Sequence, residues 1–256
     1  MKIFIIGSGN VATHLATALF QAQHTIVGVC SRNSQHASLL AQNVEADVFT
    51  SVAQIPTDAD FYLISISDDN IDDVVMQMPK VSGVVAHTAG SIDITRLSKF
   101  EQYGVFYPLQ TFTQGRPINV SVVPMCIEAN TPTTYNVIEN IAKSISNNVL
   151  EVSSQQRKYL HLAAVFACNF VNFMYAQAET IVAQSGLPFS IVKPLIDETA
   201  DKAISIGPLL AQTGPARRAD FSIMEKHKKL LDNQNLQKLY SFVSEQIMSN
   251  YNQNKN

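Results

Sequence analysis

The sequence predicts a doubly wound, mostly parallel α/β sheet followed by an all-α region, and three observations carry that prediction. The apolar run Ile3 to Ile6 stops at a glycine turn and gives way to helical spacing. Strand-like and helix-like segments then alternate as far as residue 153, the pattern of crossover connections in a parallel sheet. After "VLEVSS" at 149–154 no convincing strand follows, only helical segments punctuated by glycine and proline. A boundary near residue 153 therefore separates a sheet domain, 1–153, from a helical domain, 154–256.

The elements follow in order. Ile3, Phe4, Ile5 and Ile6 form a continuous apolar run, which suits a strand buried on both faces. Val11, Leu15, Ala18 and Leu19 recur at three- and four-residue spacing, so a helix follows the turn Gly7-Ser8-Gly9-Asn10. Residues 25–30 (TIVGVC) are a second strand, 34–43 a short helix, and 47–49 (DVF) a third strand. "DADFYLISISDD" at 58–69 holds a strand ending in polar residues, and "SGVVAHTAGS" at 82–91 repeats strand then turn. "YGVFYP" at 103–108 and "VVPMCIEA" at 122–129 add two strands, and 132–145 has the best helical pattern. Right-handed crossovers place the loops after the strands at one edge, where ligands bind. Those loops carry Ser8, Ser31-Arg32, Ser67-Asp68 and His87-Thr88. In the second half, helices are expected over about 154–185, 188–206, 220–232 and 234–250, with Gly186-Leu187-Pro188 ending one and starting the next.

Composition narrows the function classes. A hydrophobic content of 46% over 256 residues is ample for a sizeable core. A net charge of −3 provides no electrostatic footprint for nucleic acid or an anionic membrane surface. The chain starts in a strand without a basic leader, and no apolar run approaches a membrane span, so neither secretion nor membrane insertion is expected. Cys30, Cys126 and Cys168 are far apart and lie in apolar stretches, as reduced core residues of a cytoplasmic protein would. The six histidines are equally scattered, and no metal site is expected.

The glycine turn raises the question of a ligand. Gly7 permits the turn, Gly9 lets backbone approach a pyrophosphate, and Ala12 stands where close packing of helix on strand needs a small residue. The free N–H groups of the first helical turn would face the anion. A glycine turn between strand and helix can also be purely structural. The second strand decides between ligands. A dinucleotide site selecting NAD places an Asp or Glu there for the ribose hydroxyls, yet the strand ends "VCSRN" and the first acidic residue in the chain is Glu45. Ser31 and Arg32 offer a hydroxyl and a fixed cation to a 2′-phosphate instead. NADP is thus expected over NAD, and the missing carboxylate also counts against S-adenosylmethionine. The expected cofactor residues are Gly7, Ser8, Gly9, Asn10, Val11, Ser31, Arg32, Ser67, His87 and Thr88.

"FIIGSGNVATHLATAL", "VCSRN", "ISISDDNI", "VVAHTAGS" and "YPLQTF" resemble the Rossmann half of NADP oxidoreductases related to pyrroline-5-carboxylate reductase and to the 6-phosphogluconate and hydroxyisobutyrate dehydrogenases. "HLAAVFACNFVN" and "LLAQTGPARRADFSIMEKH" are similar to the helical domain of unknown function that accompanies this half in many bacteria. The resemblance covers nearly the whole chain. It implies a Rossmann-like sheet domain, NADP, and a homodimer formed through the helical domain, and it implies no particular substrate. In the related dehydrogenases a lysine and an asparagine on the corresponding helix transfer the proton and orient the substrate. Here a histidine takes the obvious slot.

For the chemistry itself, a hydride reductase needs a polariser or proton donor for its acceptor and exclusion of water. Lys158, His161, Val165, Asn169 and Asn172 follow helical spacing, so they are expected to share one face. His161 and Asn169, about 12 Å apart along the axis, would bracket nicotinamide and substrate, and amides in so apolar a helix are expected to be buried and partnered. His87 competes as donor from the sheet edge, with Ser91 beside it and Tyr107 to Gln110 as a further wall. Gln212, Thr213, Arg217 and Arg218 gather donors around a Gly-Pro turn, either for an anionic group of the substrate or for ion pairs with a partner subunit, and Asp220 is placed to cap the next helix. Two functions remain: an NADPH-dependent reductase of a small carbonyl or imine compound, or a non-catalytic NADP(H)-binding sensor or scaffold.

Overall fold

The computed structural model describes residues 1–253. Its strands are β1 (Lys2–Ile6), β2 (Thr25–Cys30), β3 (Asp47–Phe49), β4 (Phe61–Ile64), β5 (Val84–His87), β6 (Tyr103–Pro108), β7 (Met125–Ala129) and β8 (Val149–Glu151). They form one sheet in the order β3-β2-β1-β4-β5-β6-β7-β8. Every pairing is parallel except β6 with β7. The expected Rossmann-like, mostly parallel sheet is therefore what forms. The winding reverses between β1 and β4, and the crevice outside the carboxyl ends of those strands is where such sheets take ligands.

Alternation along each strand explains why the first apolar run has no polar face. Ile3 and Ile5 pack with Leu15 of α1 (Asn10–Gln21), Leu40 of α2 (Ser34–Asn43) and Ile138 of a later helix on one side of the sheet. Phe4 and Ile6 pack with Tyr62, Ile71 of α3 (Ile71–Gln77) and Leu97 on the other. A strand covered on both faces buries every side chain, each worth roughly 1.5–3 kcal/mol. The later helix, α4 (Pro132–Ile145), starts as its sequence directs: the Thr131 side chain accepts from the Thr134 N–H, and proline stands in the first turn.

The last strand ends at Glu151, and from Ser154 the chain is helical. Compactness divides it later, into unit 1 (Met1–Met174) and unit 2 (Tyr175–Asn256). The first turns after residue 153 belong with the sheet because Arg157 and Ser154 bond to it. One continuous helix spans Ser154–Gln184. It consists of α5 (Ser154–Ala164), a π-helical segment (Val165–Phe170) and α6 (Val171–Gln184). Ser153 and Gln156 form a capping box at its start.

This helix corrects three expectations. By length and composition alone it is apolar enough to cross a membrane, with a mean hydropathy of 1.3 over its most apolar window; Asn169 and Asn172 interrupt its apolar run. Within the single chain it is largely uncovered, so Asn169, Asn172 and Cys168 are exposed rather than buried. The π turn takes in an extra residue, so the spacing that put Lys158 through Asn172 on one α-helical face does not carry across 165–170.

Unit 2 continues with α7 (Lys193–Ile206), α8 (Pro208–Ala211), α9 (Phe221–Lys229) and α10 (Gln234–Gln253). Asp220 caps α9, accepting from the Ile223 N–H at 3.2 Å, as its position predicts. Arg217 donates to the Gln212 carbonyl and lies over the Tyr251 ring at 5.0 Å, while Arg218 is exposed.

Candidate functional site

A cleft of about 780 Å³ opens within unit 1 at the carboxyl edge of the sheet. Its floor is the turn between β1 and α1. Gly7 has φ +121°, and a Cβ there would stand 2.0 Å from the Ser65 carbonyl oxygen, so the fold itself requires this glycine. Gly9 differs. Its backbone is extended and a Cβ there would meet nothing within 4 Å. No protein atom forbids a side chain at 9; the space it would enter is the cleft at the N-terminus of α1. That helix has no side-chain cap and no acidic residue in its first turn, so its leading N–H groups are available to an anion. This cradle fits the pyrophosphate of a dinucleotide.

Gly7, Ser8, Gly9, Asn10 and Val11 all line the cleft, as do Ser31, Arg32, Ser67 and Thr88. The Ser8 hydroxyl donates to Ser31 Oγ at 2.8 Å, tying the glycine turn to the end of β2. Arg32 is exposed and donates to Asn70 Oδ1 at 3.3 Å, which holds the guanidinium at the rim beside Ser31. The Thr88 hydroxyl donates to Ser65 Oγ at 3.2 Å. Asn10 donates to the Phe112 carbonyl at 3.0 Å, bringing the loop after β6 over the start of α1. Tyr107, Pro108 and Gln110 complete that wall.

At the other end of the cleft stands His161 of α5. Its Nδ1 lies 3.0 Å from the Tyr107 hydroxyl, and a Cβ on Gly90 would come within 2.5 Å of the same nitrogen. Gly90 is thus the seat of the imidazole. Tyr107 is nearly buried, and burial, seconded by the Cys126 thiol, pushes its hydroxyl up to about 12. It stays a neutral phenol at any physiological pH.

Two expected residues do not reach this place. His87 is fully buried behind the wall: its Nδ1 accepts from the Ala89 N–H at 3.2 Å, and among the described residues its Nε2 has no hydrogen-bond partner. Burial, with the Arg157 cation adding to it, pulls its pKa down to about 3, so the ring is neutral and a poor acid. Asn169 lies on the π segment, two turns beyond the part of the helix that borders the cleft, and does not line it.

Sequence reasoning passed over Arg157, the largest fully buried side chain in unit 1. It donates to Glu128 Oε2 at 2.7 Å, to the Ala89 carbonyl at 3.2 Å and to Ser154 Oγ at 3.1 Å. A buried cation is tolerated only when paired and hydrogen-bonded in this way. Arg157 thereby pins the start of α5 to the loop that carries Gly90, which places His161. Glu128 and Arg157 are 29 residues apart, and no spacing rule connects a strand end to a helix start.

Residues 2–90 match the family model described as "NADP oxidoreductase coenzyme F420-dependent", and residues 123–247 match a "Domain of unknown function (DUF2520)". A Bacteroides fragilis protein crystallised as a "putative NADP oxidoreductase" is 40% identical over 97% of this chain and 98% of its own, with a TM-score of 0.90. The chain belongs to the NADP oxidoreductase family with a C-terminal DUF2520 domain. NADP is that family's cofactor, and the cradle at Gly9 with Ser31 and Arg32 beside it fits it. More distant structures share the fold. A reductive aminase from Aspergillus terreus, in complex with NADPH and ethyl-5-oxohexanoate, is 13% identical over 97% of this chain and 94% of its own, TM-score 0.76. A 1-pyrroline-5-carboxylate reductase from Streptococcus pyogenes is 13% identical over 97% and 98%, TM-score 0.62. No curated protein matches the sequence.

Proposed function

We propose that this NADP oxidoreductase reduces a small carbonyl or imine compound, with His161 as the proton donor. The observation that carries the reading is that one cleft holds both the glycine cradle and an imidazole whose Nε2 makes no hydrogen bond among the described residues. When bound, NADPH supplies the hydride. The chain holds the dinucleotide by the N–H groups after Gly9 and by Ser31 and Arg32. His161, as an imidazolium, gives its Nε2 proton to the oxygen or nitrogen of the acceptor and is left neutral. The fold shared with a reductive aminase and a pyrroline-5-carboxylate reductase supports this choice of acceptor.

The test is NADPH oxidation by purified protein against a panel of ketones, aldehydes and cyclic imines. His161→Asn should lower turnover of the acceptor found by roughly a hundredfold or more while leaving NADPH affinity within a few-fold. Turnover with no acceptor, alongside tight NADPH binding, would favour a sensor or scaffold.

The same reading pairs two copies through the helical half. Phe166, Phe173 and Ile204 are 61%, 52% and 84% exposed in one chain, far more apolar surface than a lone soluble chain presents. Sedimentation at micromolar concentration should give twice the mass of one chain; a monomer there would count against pairing.

A further inference from the structure

The contact between Tyr107 and His161 has a direction that hydrogen-bond supply decides. Tyr107 is 8% exposed, and among the described residues its hydroxyl has one hydrogen-bond partner, His161 Nδ1 at 3.0 Å. A phenol carries one proton to donate, and a nearly buried donor left without an acceptor is costly. If Nδ1–H donated to the phenol oxygen, the phenol's own hydrogen would have no acceptor among the described residues. If the phenol donates to Nδ1, the more buried of the two donors is satisfied, and the one left without a protein partner is the ring N–H of His161, the more exposed residue, in the wall of the cleft. The ring cannot slide away from this bond, because Gly90 packs on its Nδ1 edge so closely that even a methyl group there would overlap it.

From this we infer that Tyr107 is a positioning residue: by donating to Nδ1 it holds neutral His161 in the tautomer whose hydrogen sits on Nε2, the nitrogen left for a ligand. The inference rests on His161 being the proton donor proposed above. Its consequence is that Nε2 carries hydrogen in both charge states of the ring. Until the proton is transferred, the acceptor atom of the substrate therefore meets a donor at Nε2, and a substrate can dock before the ring is protonated; transfer itself leaves the hydrogen on Nδ1. A hydrogen-bonded partner on the second nitrogen is the general means by which a histidine's tautomer is set.

Nitrogen NMR of the ring in the NADP-free protein reads the tautomer directly, with His161→Asn identifying the signals. Wild type, at a pH where the ring signals show it neutral, should show the Nε2–H form alone. Tyr107→Phe should show a mixture of both tautomers and lower kcat by roughly tenfold, the worth of about one hydrogen bond, with KM and NADPH affinity within a few-fold. Gly90→Ala, which displaces the ring without touching the phenol, should disturb the same signals. A wild-type ring in the Nδ1–H form overturns the inference, and so does a Tyr107→Phe ring that keeps the pure Nε2–H form; the first needs no variant to fold. Should His161→Asn turn over normally while wild type shows the Nε2–H form, the donor reading fails and the tautomer assignment stands.

Discussion

At one end of the cleft five consecutive residues, Gly7 to Val11, make the cradle; at the other, Gly90, Tyr107 and His161 come from three separate stretches of chain and meet through a buried arginine. The first end needs only a strand, a turn and the start of a helix. The second needs α5 to be docked on the sheet before any of its groups mean anything together. A site made by local backbone geometry is hard to misplace, whereas one assembled from distant elements depends on whatever docks them, here the Arg157–Glu128 pair.

The sharpest way to separate the ends is Gly9→Asp. The added Cβ meets no protein atom, so thermal stability should stay near wild type, while the side chain and its charge enter the space kept for the phosphates. NADP(H) binding should be lost by calorimetry, and the tautomer of His161 should be unchanged. Retained affinity in the folded variant would show that the turn is structural only.

Arg32→Ala tests the edge of the same end. Removing one charge-assisted contact should cost about 1.5–3 kcal/mol, roughly ten- to more than a hundredfold in NADP(H) affinity. The affinity for NAD(H) should barely change, since it lacks the phosphate. Equal losses for the two cofactors would place the 2′-phosphate elsewhere.

The smallest effect belongs behind the other end. His87 folds neutral with its pKa held at about 3, whereas in the unfolded chain it titrates near 6.5. Below pH 6.5 the unfolded state therefore binds a proton that the native state refuses, and stability falls as pH falls. The slope is at most about 1.4 kcal/mol per pH unit. Urea unfolding at pH 7 and pH 5.5 should show wild type losing about 1 kcal/mol more than His87→Leu. Parallel losses in the two proteins would mean that His87 is solvated in the native state.

Much of this was legible in the residue order. The strand at Ile3–Ile6, the turn at Gly7 and Gly9, the neutral and cationic pair Ser31-Arg32, and helix α4 all follow from patterns within a few residues, because apolar period, turn conformation and capping are short-range physics. The chain's own chemistry thus determined the sheet class and the uncapped helix start behind the glycine turn. It could not place His87 behind the cleft wall and His161 within it, since one ends a strand and the other lies inside a helix, and neither position by itself says which ring is covered. Nor could it show that the amides at 169 and 172 are uncovered, because the π turn at 165–170 changes which face they occupy. Those outcomes were decided by tertiary structure. Which of two histidines lines the cleft depends on burial and on the long-range pairing of Arg157 with Glu128, and neither has a signature in local spacing.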